Sequence, residues 1–113
     1  MDPVQVVQGQ VDAYNARDVD RFVSFYSPDA VVLDGAENVI AQGHDAIRAL
    51  WGQLFSQSPD LHVDIPTRIH VGSWVIDEEQ ATGFILEGFP PELHTAAVYH
   101  VEDDKIVKCT VLF

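Results

Sequence analysis

The sequence predicts an α+β domain in which a cone-shaped, curved and mostly antiparallel sheet wraps around helices from the N-terminal half. Three observations lead there. Apolar residues recur at helical spacing up to about residue 57, and the period changes to two after residue 60. Helices first and strands afterwards place the helices on one face of an antiparallel sheet. No repeat or low-complexity linker divides the 113 residues, so residues 1–113 read as a single domain.

Val4, Val7, Val11 and Tyr14 fall on one face of a helix over residues 3–16. Asn15-Ala16-Arg17-Asp18 interrupts it, and Asp18 then suits an N-cap, with Asp20 in the first turn where the helix dipole favours negative charge. The spacing predicts a short second helix carrying Phe22, Val23, Phe25 and Tyr26 up to Pro28. Residues 30–34 read as a strand, with Val39-Ile40-Ala41 returning beside it. Ile47, Leu50, Trp51, Leu54 and Phe55 make one continuous stripe on a third helix over residues 44–57. Leu61, Val63 and Ile65 then alternate with His62 and Asp64, and Pro66 calls for a bulge or a sheet edge. Strands are predicted over residues 74–87 and 94–101, around the loop Gly88-Phe89-Pro90-Pro91. Residues 102–105 form a turn and 106–113 the last strand.

Composition limits the partners. Hydrophobic residues make up 47% of the chain and charged residues 21%, enough for one core and too ordered a mixture for a disordered chain. A net charge of -12 with six Lys plus Arg disfavours nucleic acid and anionic membranes, which need a basic face. It favours a neutral or cationic small molecule. The single cysteine, Cys109, leaves no internal disulfide. No stretch reads as a signal peptide or a membrane helix, so a soluble cytoplasmic protein is expected.

Tyr14-Asn15-Ala16-Arg17-Asp18 with Phe25 and Asp29-Ala30-Val31-Val32, Gly43 through Ile47 before an aromatic helix, and Val98 through Val107 together resemble the nuclear transport factor 2-like superfamily. The chain is most similar to its SnoaL-like and ketosteroid-isomerase-like branch, over nearly its whole length. The resemblance implies a cystatin-like roll with a cavity, no cofactor, and a homodimer built on the outer sheet face. It does not imply one activity, because such folds host isomerases, dehydratases, cyclases, epoxide hydrolases and plain binders. Counted along from Asn15-Ala16, Asp34 falls where ketosteroid isomerase has its general base. The two oxyanion-donor positions of that enzyme fall on Gln10 and Ala97, so fast steroid isomerisation by its mechanism is not expected.

Asp34 has two readings. It is a carboxylate aimed into the cavity as a general base, or the first residue of a Leu33-Asp34-Gly35 turn. Gln10 and Tyr14 lie four apart on one helix face, so both can look into one pocket and donate to an oxyanion. The resemblance puts Ala97, Tyr99, Cys109, Val111 and Phe113 on the cavity face. With Trp51, Phe55 and Phe84 they make an apolar wall, suited to a small-molecule site or to a filled core. The five histidines show no metal-ligand spacing, and no metal is expected. Asp77-Glu78-Glu79 reads as a solvated turn or strand edge, and Cys109 as a small buried hydrophobe rather than a nucleophile. The expected function is isomerase, lyase or cyclase chemistry on a small apolar carbonyl compound. Asp34 would move the proton while Gln10, Tyr14 or Tyr99 steadies the developing charge. The competing class is a non-catalytic module of the same fold that binds a ligand or dimerises.

Overall fold

The structure, a computed structural model, describes residues 1–113. Helix α1 spans Pro3–Asn15 and starts on a capping box: Gln5 N donates to Asp2 Oδ1 at 2.8 Å, and Asp2 N donates to Gln5 Oε1 at 3.0 Å. Asp18 caps α2, Val19–Ser24, accepting from Arg21 N at 3.1 Å. Helix α3 spans Gly43–Gln57. The strands are β1 Tyr26–Asp34, β2 Val39–Gln42, β3 His62–Val71, β4 Trp74–Thr82, β5 Leu93–Glu102 and β6 Lys105–Leu112. They form one six-stranded open, curled sheet in the order β2-β1-β6-β5-β4-β3. Every neighbouring pair is antiparallel except β1 with β6, so the sheet is mixed. No helix is long and apolar enough to cross a membrane.

Two elements differ from the sequence reading. The second helix stops at Ser24, and Tyr26 belongs to β1 rather than to the helix. Ile106 N donates to Phe25 O at 2.8 Å and Tyr26 pairs with Ile106, so the last strand pulls this segment into the sheet. Pro28, which has no N–H to give, sits where the β1–β6 register is interrupted between Tyr26 and Val31. Strand β4 ends at Thr82, not at residue 87. Gly83 has φ +67, and a Cβ there would lie 2.4 Å from Asp60 O, so the chain turns off the sheet at a position only glycine fits. Ser58 Oγ then accepts from Ile85 N at 2.9 Å and ties the segment 83–92 to the C-terminal end of α3. Pro66 meets expectation: it lies in the register shift between Asp64 and Thr67, on the edge strand β3.

The core lies between the inner sheet face and the helices. At its centre is Phe22, 1% exposed, with its ring 5.2 to 6.3 Å from those of Tyr14, Tyr26, Trp51 and Phe55. These rings tie α1, α2, α3 and β1 together with large apolar areas. One row of paired positions crosses the inner face from Asp34 through Val111, Ala97 and Asp77 to Arg68. The next rows carry Val32, Cys109, Tyr99 and Val75 on one side, and Thr95 and Glu79 on the other.

Candidate functional site

Between α1, α3, the inner sheet face and the segment 83–92 lies a cavity of about 300 Å³, lined by 21 residues of which 18 are hydrophobic. Helix α1 contributes Gln10 and Tyr14, α3 contributes Trp51, and β5 and β6 contribute Ala97, Tyr99, Cys109 and Val111. Phe84 and Phe113 complete the wall, bridged by Phe89 through edge-on ring contacts at 5.7 and 5.8 Å. The structure thus brings nine of the sequence-predicted pocket residues around one space.

Phe55 is the exception. It does not line the cavity; it is buried behind Tyr14 and Phe22, edge-on to both at 5.4 and 5.6 Å. The stripe on α3 is wide enough to face two ways, with Leu50, Trp51 and Leu54 toward the cavity and Phe55 into the core.

Asp34 is placed in the turn, not in the cavity. By strand register it shares the inner row with Val111 and Ala97. It is also the last residue of β1, and its carboxylate is taken up locally. Oδ1 accepts from Ala36 N and Asn38 N, each at 2.9 Å, and Oδ2 accepts from Asn38 Nδ2 at 3.1 Å. These bonds hold its carboxyl below the usual carboxylate range, Asn38 first and Ala36 with it. The lowered value means that the ionised form stabilises the fold above the ordinary value of 3.8, and that this contribution is lost as pH falls through the folded-state value. Asp34→Asn is therefore expected to lower the melting temperature at neutral pH. The gap from the wild type should close below pH 3.8, as read by calorimetry at several pH values.

The acid that does face the cavity is Glu79. The run Asp77-Glu78-Glu79 is neither a turn nor a sheet edge: it lies inside β4, between β3 and β5. Only Glu78 points outward, accepting from Thr67 Oγ1 at 2.9 Å and paired with His94 at 2.6 Å. Asp77 is 0% exposed and held by Arg68, whose Nε and Nη2 donate to its two oxygens at 2.7 and 2.9 Å. Glu79 is part of the cavity wall, where Thr95 Oγ1 donates to it at 3.4 Å. Burial, and secondly the charge of Asp77, push its carboxyl up to about 7, against the opposing pull of Thr95, Tyr99 and Arg68. The alternation Val75, Asp77, Glu79, Ala81 carried the signal. Two carboxylates stand in phase with apolar residues, so both belong to the inner face.

Three phenols line the same cavity as this acid. Burial raises the phenols of Tyr14, Tyr26 and Tyr99, with the charge of Glu79 adding to each, so all three stay protonated at neutral pH. Tyr26 donates to Gln10 Oε1 at 2.7 Å, which turns the Gln10 amide oxygen toward Tyr26 and leaves its NH₂ with only a 3.5 Å contact to Val7 O. Cys109 is pushed up by burial and is a neutral thiol. No three His, Cys, Asp or Glu side chains come together in an arrangement that could hold a metal.

A family model described as a SnoaL-like domain matches residues 7–109. No curated protein matches the sequence. Among solved structures, the chain is similar to a cystatin-fold protein from Novosphingobium aromaticivorans. The two share 27% identity and superpose with TM-score 0.90 over 100% of this chain and 99% of that one. It also shares its fold with a putative polyketide cyclase from Sinorhizobium meliloti, at 18% identity, TM-score 0.77, and 95% and 93% coverage. An LEH-like epoxide hydrolase from M. tuberculosis matches at 18% identity and TM-score 0.78, over 98% of this chain and 81% of that one.

Proposed function

We propose that this chain, which belongs to the SnoaL-like domain family, holds a small, mainly apolar carbonyl compound in its cavity and moves a proton on it with Glu79. One observation carries the reading: the only acidic side chain in the cavity wall is one that its surroundings hold near 7. A carboxyl so poised is divided between acid and base at neutral pH, where general acid–base catalysis is most effective. Glu79 takes the role that the sequence offered to Asp34. The ionised form removes a proton next to the carbonyl, and the acid form returns it elsewhere on the same molecule. Tyr14, Tyr99 and the Gln10 amide, which Tyr26 orients through its bond to Gln10 Oε1, are donors for the oxygen that gains negative charge meanwhile. The apolar walls exclude water and strengthen those bonds.

The test is proton exchange. A panel of small cyclic ketones is incubated with the protein in D₂O, and deuterium uptake is followed by mass spectrometry. The expected result is uptake faster than in buffer for at least one ketone, with a rate that rises through pH 7 as Glu79 ionises. Ketones that bind without exchanging would make this a binding protein and overturn the reading.

We further propose that the chain pairs with a second copy of itself through its outer sheet face. The outer sheet face aligns Ile69, Ile76, Val98 and Thr110 in one row and Val71, Trp74, His100 and Lys108 in the next. Trp74 is 41% exposed and stacks on His100 at 4.2 Å, while Val71 is 63% exposed. An apolar face of this kind suits a second copy of the chain laid against it. Sedimentation at micromolar concentration is expected to give about twice the chain mass, and Trp74→Glu to give a monomer.

A further inference from the structure

We propose that the Arg68–Asp77 ion pair is a positioning element for Glu79: a locked, compensated pair of charges behind the cavity wall that sets how tightly Glu79 holds its proton. The proposal rests on the reading of Glu79 given above. Asp77 and Glu79 lie two apart on the same face of β4, so their backbones are roughly 7 Å apart. Asp77 is fully buried, and the guanidinium of Arg68 grips it with two bonds. The third arm of the fork reaches α1, where Arg68 Nη1 donates to Gln8 Oε1 at 2.8 Å; Gln8 Nε2 in turn donates to Asp12 Oδ1 at 2.8 Å. Such a fork leaves the charges little freedom to move.

Stability alone is a weak reason for a buried pair, since apolar residues of similar volume do as well or better. Its place beside the one acidic side chain of the cavity supplies another. The groups around Glu79 are Tyr14 from α1, Tyr26 from β1, Arg68 from β3, Asp77 from its own strand, Thr95 and Tyr99 from β5, and Cys109 from β6. Helix α3 and the segment 83–92 present only apolar side chains to the cavity. The phenols and the thiol are uncharged at neutral pH, so Arg68 and Asp77 are the full charges in this set. Asp77 pushes Glu79 toward its acid form and Arg68 draws it toward the anion.

The two halves of the pair therefore act in opposite directions, and a purely structural clamp would not. The test is the titration of the Glu79 side-chain carboxyl, followed by carbon NMR in the wild type, Asp77→Asn, Arg68→Gln and Arg68→Lys. Asp77→Asn is expected to move the midpoint to lower pH and Arg68→Gln to higher pH, while Arg68→Lys, which keeps the charge, stays near the wild type. Shifts in the same direction, or none, would overturn the proposal. If Arg68→Gln does not fold, Asp77→Asn decides alone: an acid shift supports the pair's role and an unmoved midpoint refutes it. The readout needs no turnover. Directions can hold even where no ketone exchanges protons, which separates failure of this proposal from failure of the functional reading.

Discussion

Glu79→Gln is expected to abolish most of the activity and to stabilise the fold. Glutamine keeps the size and the bond from Thr95 Oγ1, but it can neither take nor give the catalytic proton. Loss of a positioned acid–base group costs roughly 10² to 10⁴ in rate. The stability effect has the opposite sign. Glu79 is held up to about 7 against an ordinary 4.5, so between those values the folded state binds a proton that the unfolded state has released. Stability therefore falls as pH rises from 4.5 to 7, and above 7 the native protein carries an ionised carboxylate at a cost of about 3 kcal/mol. Glutamine removes that cost. The variant should melt higher than the wild type at pH 8, with the difference vanishing near pH 4. A residue kept against stability in this way is what a working site requires. Exchange kinetics and calorimetry on the same preparation check both halves. A variant that melts lower at pH 8 would mean that the carboxylate is held by bonds glutamine cannot replace.

The second large effect is on the fold alone. Phe22→Ala should destabilise the domain by about 3 to 5 kcal/mol, the usual cost of removing a fully buried aromatic ring. Phe22 sits among Tyr14, Tyr26, Trp51 and Phe55, which come from three other elements, α1, β1 and α3. Collapse around the hole would need all four to move together, which favours the upper part of that range. Three of the neighbours, Tyr14, Tyr26 and Trp51, also line the cavity, so ligand affinity should weaken along with stability. Urea unfolding followed by tryptophan fluorescence reads the first effect directly.

How much of this was legible beforehand can be followed residue by residue. The three helices and the later strands followed from period and caps: Asp18, Pro66 and the stripe Ile47 to Phe55 all stand where the pattern put them. Tyr26 did not, because its helical spacing with Phe22 and Phe25 is a local signal. Its pairing with Ile106, eighty residues on, is a long-range one that no window contains. The cavity was largely legible because wall residues alternate along strands. The placement of its acids was not legible, for a related reason. Asp34 matched the inner face in register, and the resemblance gave it a role, but the backbone donors of Ala36 and Asn38 were invisible in the sequence. Glu79 was dismissed because three acidic residues in a row look solvated. The two-residue period with Val75 and Ala81 contradicted that, and it outweighs composition whenever a strand has one buried face.

The central claim is that Glu79 is a cavity acid poised near neutrality, and its titration in the wild-type protein tests this most directly. With the side-chain carboxyl labelled with carbon-13, its resonance should move with a midpoint of about 7. Addition of an apolar ketone that fills the cavity should shift that midpoint to higher pH, since it removes the remaining water from the wall. A midpoint near the ordinary 4.5, unmoved by the ketone, would show Glu79 to be a solvated surface carboxylate and would contradict the account.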